Sequence, residues 1–155
     1  MPLRKHVGEL VPRQSEPQWL SLEHIAEVHV SSEDPEAPLE GALLDGRVGG
    51  WRAGTPGEQS LRICFDQPRD IAVIHLTFDE TVRDRVQEFE LQWSGDRGET
   101  ILPVVRQQFS FSAGATREIE NYEVNLRAVT DLYLHIIPDI SRGPQIATLS
   151  RLRVR

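Results

Sequence analysis

Val86-Gln87-Glu88-Phe89-Glu90-Leu91-Gln92-Trp93 alternates apolar and polar side chains through its second half. Phe89, Leu91 and Trp93 fall on one face of an extended chain; Glu88, Glu90 and Gln92 fall on the other. Helical spacing would scatter these residues around the axis. The period of two therefore predicts a strand with one buried face and one wet face. The same pattern recurs on either side. In Leu61-Arg62-Ile63-Cys64-Phe65, the residues Leu61, Ile63 and Phe65 share a face. Ile71 to Phe78 places Ala72, Ile74, Leu76 and Phe78 together. Downstream, Tyr122, Val124 and Leu126 alternate with Glu123 and Asn125, and Leu132, Leu134 and Ile136 alternate with Tyr133 and His135. The chain ends on Leu152-Arg153-Val154. Its basic run Arg151 to Arg155 alternates and reads as the solvent face of a last strand.

Turn-forming clusters separate these segments: Asp45-Gly46, Gly49-Gly50, Pro56-Gly57, Gln67-Pro68, Gly95-Asp96 and Ala113-Gly114. About eight strands result, with no long helical pattern; Trp19 to Val28 has room for one helical turn. One-sided alternation means antiparallel sheets with a solvated face. Two such sheets bury their apolar faces against each other, so the fold class is all-β, a β-sandwich.

The 155 residues suffice for one domain, which at this length buries ~70% of its unfolded surface. The first 18 residues hold three prolines and little periodicity. They read as an extended arm, 1–18, ahead of a β domain over 19–155. Met1 to Val7 is basic but no apolar core follows, unlike a secretory signal, so a cytoplasmic location is expected. No apolar run approaches the ~20 residues of a membrane helix. The net charge of −7 argues against a nucleic-acid binder, which needs a basic face to displace counterions. The single cysteine, Cys64, cannot form an internal disulfide; in an alternating apolar segment it reads as core rather than nucleophile.

Catalytic signatures are missing. The five histidines have no metal spacing with a third ligand. There is no Gly-x-Ser-x-Gly elbow and no phosphate loop ending in lysine, since Lys5 is the only lysine. The charged run Asp79 to Arg85 could supply a carboxylate pair for glycoside cleavage, but mixed charge between two strands reads first as a solvated connection. Ser31 to Glu36, with Asp45-Gly46, is rich in oxygen ligands. It reads either as a polar loop or as a place where Asp45 helps hold calcium. Trp93 reads as core. Trp51, after two glycines, reads as either core or a binding platform.

Ser31-Ser32-Glu33, then Asp45-Gly46, then Gly50-Trp51-Arg52-Ala53 resembles the opening signature of discoidin-like domains, also called coagulation-factor C-type or galactose-binding-like domains. Gln59 to Phe65, Ile71 to Leu76, Phe89 to Ser94 and Tyr133-Leu134-His135-Ile136 follow in the family's order. The resemblance covers residues 19 to 155. It implies an eight-stranded antiparallel jelly-roll β-sandwich that binds ligands through loops at one end. Two positions depart from the family. His135 stands where a late-strand arginine is usual. The last strand lacks the glutamate that calcium-holding sugar binders place near the metal.

The resemblance implies a non-catalytic module with no cofactor, calcium aside. Its expected partner is a carbohydrate, with Glu33, Trp51, Arg52, Arg106 and Asn121 as candidate ligand-binding residues. The alternative is a protein-interaction domain that docks onto a larger assembly. Neither reading involves nucleic acid or a membrane.

Overall fold

The computed structural model describes Lys5 and residues 18–155. The arm expected over 1–18 falls almost wholly outside them. A single helical turn, α1 (Leu22–Ile25), leads into β1 (Ala26–Val30). A second turn, α2 (Glu40–Leu43), precedes β2 (Trp51–Arg52). Then come β3 (Gln59–Asp79), β4 (Arg85–Ser94), β5 (Leu102–Phe111), β6 (Arg117–Ile137), β7 (Thr148–Leu149) and β8 (Arg151–Val154).

β3 and β6 are each 21 residues long and pair with each other antiparallel along their lengths. Both bend midway and so serve two layers. The first half of β3 and the second half of β6 join a five-stranded layer of order β1-β3-β6-β4-β5. The second half of β3 pairs the first half of β6 and also β8, which makes a three-stranded layer. Phe78 of the smaller layer stacks on Phe89 of the larger at 5.3 Å, and Tyr122 meets Phe89 at 6.4 Å, so the inner faces pack together. Phe65, Phe78, Phe89 and Phe111 are at most 2% exposed. Each contributes roughly 1.5–3 kcal/mol of burial, which is what holds two bent ribbons face to face. β2 and β7 form a separate two-stranded pair. The result is the eight-stranded antiparallel sandwich expected from the sequence. Among the described residues, no helix is long and apolar enough to cross a membrane.

Three local expectations are corrected. Gln67-Pro68 does not break the chain into two strands: it lies inside β3, where the register slips between Cys64 and Arg69. Proline has no N–H to pair, so a slip of this kind is where a long strand tolerates it. A further slip between Ile71 and Val73 exchanges faces, so Ile71 is buried and Ala72 exposed. The matching bend in β6 has Ala128 at φ 52, and Asp70 across the bend accepts its N–H at 2.9 Å. Arg153, read as solvent-facing, is only 6% exposed.

Candidate functional site

The alternation that fills the core places the intervening residues of the five-stranded layer on its outer face. Antiparallel register then aligns them in rows across the sheet. His29, Arg62, Tyr133 and Gln92 are successive partners on β1, β3, β6 and β4. Ser60, His135, Glu90 and Arg106 are successive partners on β3, β6, β4 and β5. Glu27, Cys64, Asp131 and Ser94 make a third row. The first two rows line an open cleft of about 470 Å³, with Arg106 just beyond Glu90.

Tyr133 stands at the centre, half-buried, with the Arg62 guanidinium 5.4 Å from its ring centroid. Arg62 is held from below by Asp131, which accepts from Nε at 2.8 Å and lies 2.7 Å from Nη2. Burial works against the Asp131 carboxylate, but its neighbours Thr130, Arg62 and Cys64 outweigh it and keep its pKa below the ordinary value. The Cys64 thiol goes the other way: burial, then the neighbouring Asp131 carboxylate, push its pKa up, which opposes any nucleophilic role. His135 Nε2 lies 3.0 Å from Glu58 Oε2, and its Nδ1 lies 2.9 Å from Ser60 Oγ. Glu90 pairs with Arg106 at 3.1 Å. Arg62 and Glu90 thus each have an ionic partner on a neighbouring strand, and an aromatic face is ringed by donors and acceptors.

The five residues expected to bind ligand do not converge. Arg106 reaches the rim of the cleft. Asn121 is on the outer face of the opposite layer, hydrogen-bonded to His75 at 2.8 Å. Glu33 accepts the Leu39 N–H ahead of α2, and lines a separate hollow of about 370 Å³ whose walls are mainly Leu22, Val28, Val30, Leu39 and Leu43. Arg52 pairs with Asp34 at 3.2 Å. Trp51 is not a platform: it is 3% exposed, and its indole N–H donates to the Ser32 carbonyl at 3.1 Å.

The opening signature is therefore structural. Ser31 and Ser32 both donate to Gln59 Oε1 at 2.7 Å, and Ser32 Oγ accepts from the Gly54 amide at 3.0 Å. Asp45 accepts from Arg153 Nε at 3.2 Å. Arg62, Tyr133, His29 and Gln92, which line this cleft, were not among the residues expected from the sequence. The available signal was the polar half of each alternating strand, which marks a wet face without saying that the wet faces of four strands meet.

No family model matches the chain, and no curated protein matches it in sequence. Solved structures do match its fold. A family 32 carbohydrate-binding module from C. perfringens NanJ, solved in complex with galactose, superimposes with a TM-score of 0.62 at 15% identity, over 88% of this chain and 96% of that one. A pectin-binding carbohydrate-binding module gives 0.62 at 20% identity, over 84% and 90%. The C-terminal domain of a Bacteroides fragilis chitobiase gives 0.64 at 19% identity, over 89% and 97%. The chain thus has the galactose-binding-like, discoidin-like fold, in the jelly-roll form that carbohydrate-binding modules adopt.

Proposed function

We propose that this domain is a non-catalytic carbohydrate-binding module whose sugar lies in the cleft on the outer face of the five-stranded layer. The observation that carries this reading is the Tyr133 ring, set among Arg62, His29, Gln92, Glu90 and His135 in an open hollow of about 470 Å³. A sugar has an apolar C–H face and a rim of hydroxyls that both donate and accept. An aromatic face ringed by side chains of both kinds is complementary to it. The loops joining the strands at the end where β3 starts (31–37, 53–58, 80–84, 112–116 and 138–147) contain no Phe, Trp or Tyr. A stacking platform therefore favours the sheet face over those loops. The sugar complexes of structural neighbours support the ligand class.

The test is an NMR titration of the ¹⁵N-labelled domain with galactose, N-acetylgalactosamine and pectin oligosaccharides. The expected result is saturable shifts at Arg62, Tyr133 and His135 that Tyr133→Ala abolishes. Shifts confined to the loops at 31–37 and 53–58 would move the site to the end of the sandwich. If no glycan of a broad array binds while an affinity capture returns one stoichiometric protein, the docking function replaces this one.

A further inference from the structure

The loop after α2 presents a convergent set of oxygens, and a side chain of the last strand fills it. Arg153 of β8 reaches across to the C-terminal end of α2. Its Nη1 donates to the Ala42 carbonyl at 2.7 Å and to the Leu152 carbonyl at 2.8 Å. Its Nη2 donates to the Leu44 carbonyl at 3.1 Å, and its Nε to Asp45 Oδ1 at 3.2 Å. Carbonyls at a helix C-terminus lack intrahelical donors and carry partial negative charge, so a cation is the natural partner.

Carbonyls and a carboxylate gathered around one point are also what calcium takes, with six to eight oxygens at ~2.3–2.6 Å. The residues here do not fit that ion. The oxygens stand at hydrogen-bonding distance from a planar fork of N–H donors, and among the described residues no group of three or more His, Cys, Asp or Glu side chains gathers to hold a metal. An ion bound to Ala42, Leu44 and Asp45 would have to expel the guanidinium or sit beside it against like-charge repulsion. A guanidinium stays protonated at any physiological pH, so it does not vacate the position by titration.

We propose that Arg153 is the resident cation of this loop, that it ties residues 42–45 to β8, and that the domain folds without calcium. This inference does not depend on the identity of the ligand.

Thermal unfolding of the wild-type domain in EDTA and in millimolar calcium, with a calorimetric calcium titration, tests it directly. The expected Tm difference is under ~1 °C with no heat of binding; an ion present at ~100-fold over its Kd would raise Tm by about 5–10 °C. Arg153→Met removes the charge but keeps much of the apolar stem. It is expected to lower Tm by about 5–10 °C, through the lost donors to carbonyls, and to speed amide exchange over 40–45. A calcium-dependent rise in the wild-type Tm that Asp45→Asn eliminates would overturn the proposal. So would an Arg153→Met domain that melts with the wild type.

Discussion

Asp131 lies fully buried beneath Arg62, and the Arg62 guanidinium in turn faces the Tyr133 ring at 5.4 Å. The three residues are neighbours on the outer face of the layer: a carboxylate with no access to water, a cation that is 41% exposed, and an aromatic face. Arg62 is the ionic partner of that carboxylate. Arg62→Ala is therefore expected to cost about 3 kcal/mol, a Tm loss of roughly 6–12 °C, because it strands a buried charge. Asp131→Ala leaves Arg62 able to reach water and is expected to cost less. Chemical denaturation of the two variants checks the order; equal costs would show that the pair is only a surface ion pair.

Tyr133 contributes a surface rather than an anchor to the fold. On the proposed function, Tyr133→Ala is expected to weaken sugar binding by ~10-fold or more, the size of a lost aromatic contact with its cation–π partner. Tyr133→Phe keeps the ring and is expected to stay within ~3-fold of wild type. Isothermal titration of the two variants separates stacking from hydrogen bonding by the hydroxyl. A phenylalanine variant as weak as the alanine variant would assign the interaction to the hydroxyl instead.

The strands legible in the sequence are those whose alternation meets a uniform environment. Phe89 and Leu91 on β4, and Leu132, Leu134 and Ile136 on β6, face one continuous core, so their period of two survives intact. β5 was invisible because it is an edge strand. Pro103 interrupts it, Val104 and Val105 are adjacent and both half-buried, and the register with β4 slips between Leu91 and Gln92. The candidate site was hidden for a different reason. His29 and Tyr133 lie over a hundred positions apart in sequence, and only the pairing of β1, β3 and β6 puts them in one row. The strand order across a sheet is a tertiary choice that local periodicity does not encode. Arg153 was misread because alternation reports which face a residue is on, not whether a neighbouring loop covers that face.

Gln59 joins the Ser31-Ser32 signature to the loop over 53–58. It is 3% exposed, accepts from both serine hydroxyls and donates Nε2–H to the Thr55 carbonyl at 3.1 Å. Gln59→Leu fills the same volume but leaves those groups without their partner, at a cost of about 2–3 kcal/mol. Hydrogen exchange over 31–37 and 53–58 is expected to quicken while exchange in β4 keeps its rank. Uniform acceleration across the domain would mean that Gln59 serves the core as a whole.

Glu118 sits on the inner face of β6, 1% exposed, with Oε1 accepting from Gln87 Nε2 at 3.3 Å. Burial, and then the adjacent Glu120 carboxylate, push its pKa from 4.5 up to about 8, against the opposing pull of Gln87 and Arg85. The folded state therefore holds a proton that the unfolded chain releases at 4.5. Between those two values the native state binds more protons, so stability falls as pH rises, by up to ~1.4 kcal/mol per pH unit. Below about 4.5 the contribution is complete; above about 8 it is gone and both states are ionised. The carboxylates with depressed pKa values, Asp70, Asp79, Asp96 and Asp131, act in the opposite sense but below 3.8, outside this window. Glu118→Gln keeps the shape and removes the titration. Its advantage over wild type is expected to grow steadily from pH 5 to pH 8.5, where the variant is the more stable protein. Urea denaturation of both proteins at half-unit steps across that range measures the difference; two parallel curves would mean that Glu118 is ionised in the folded domain at neutral pH.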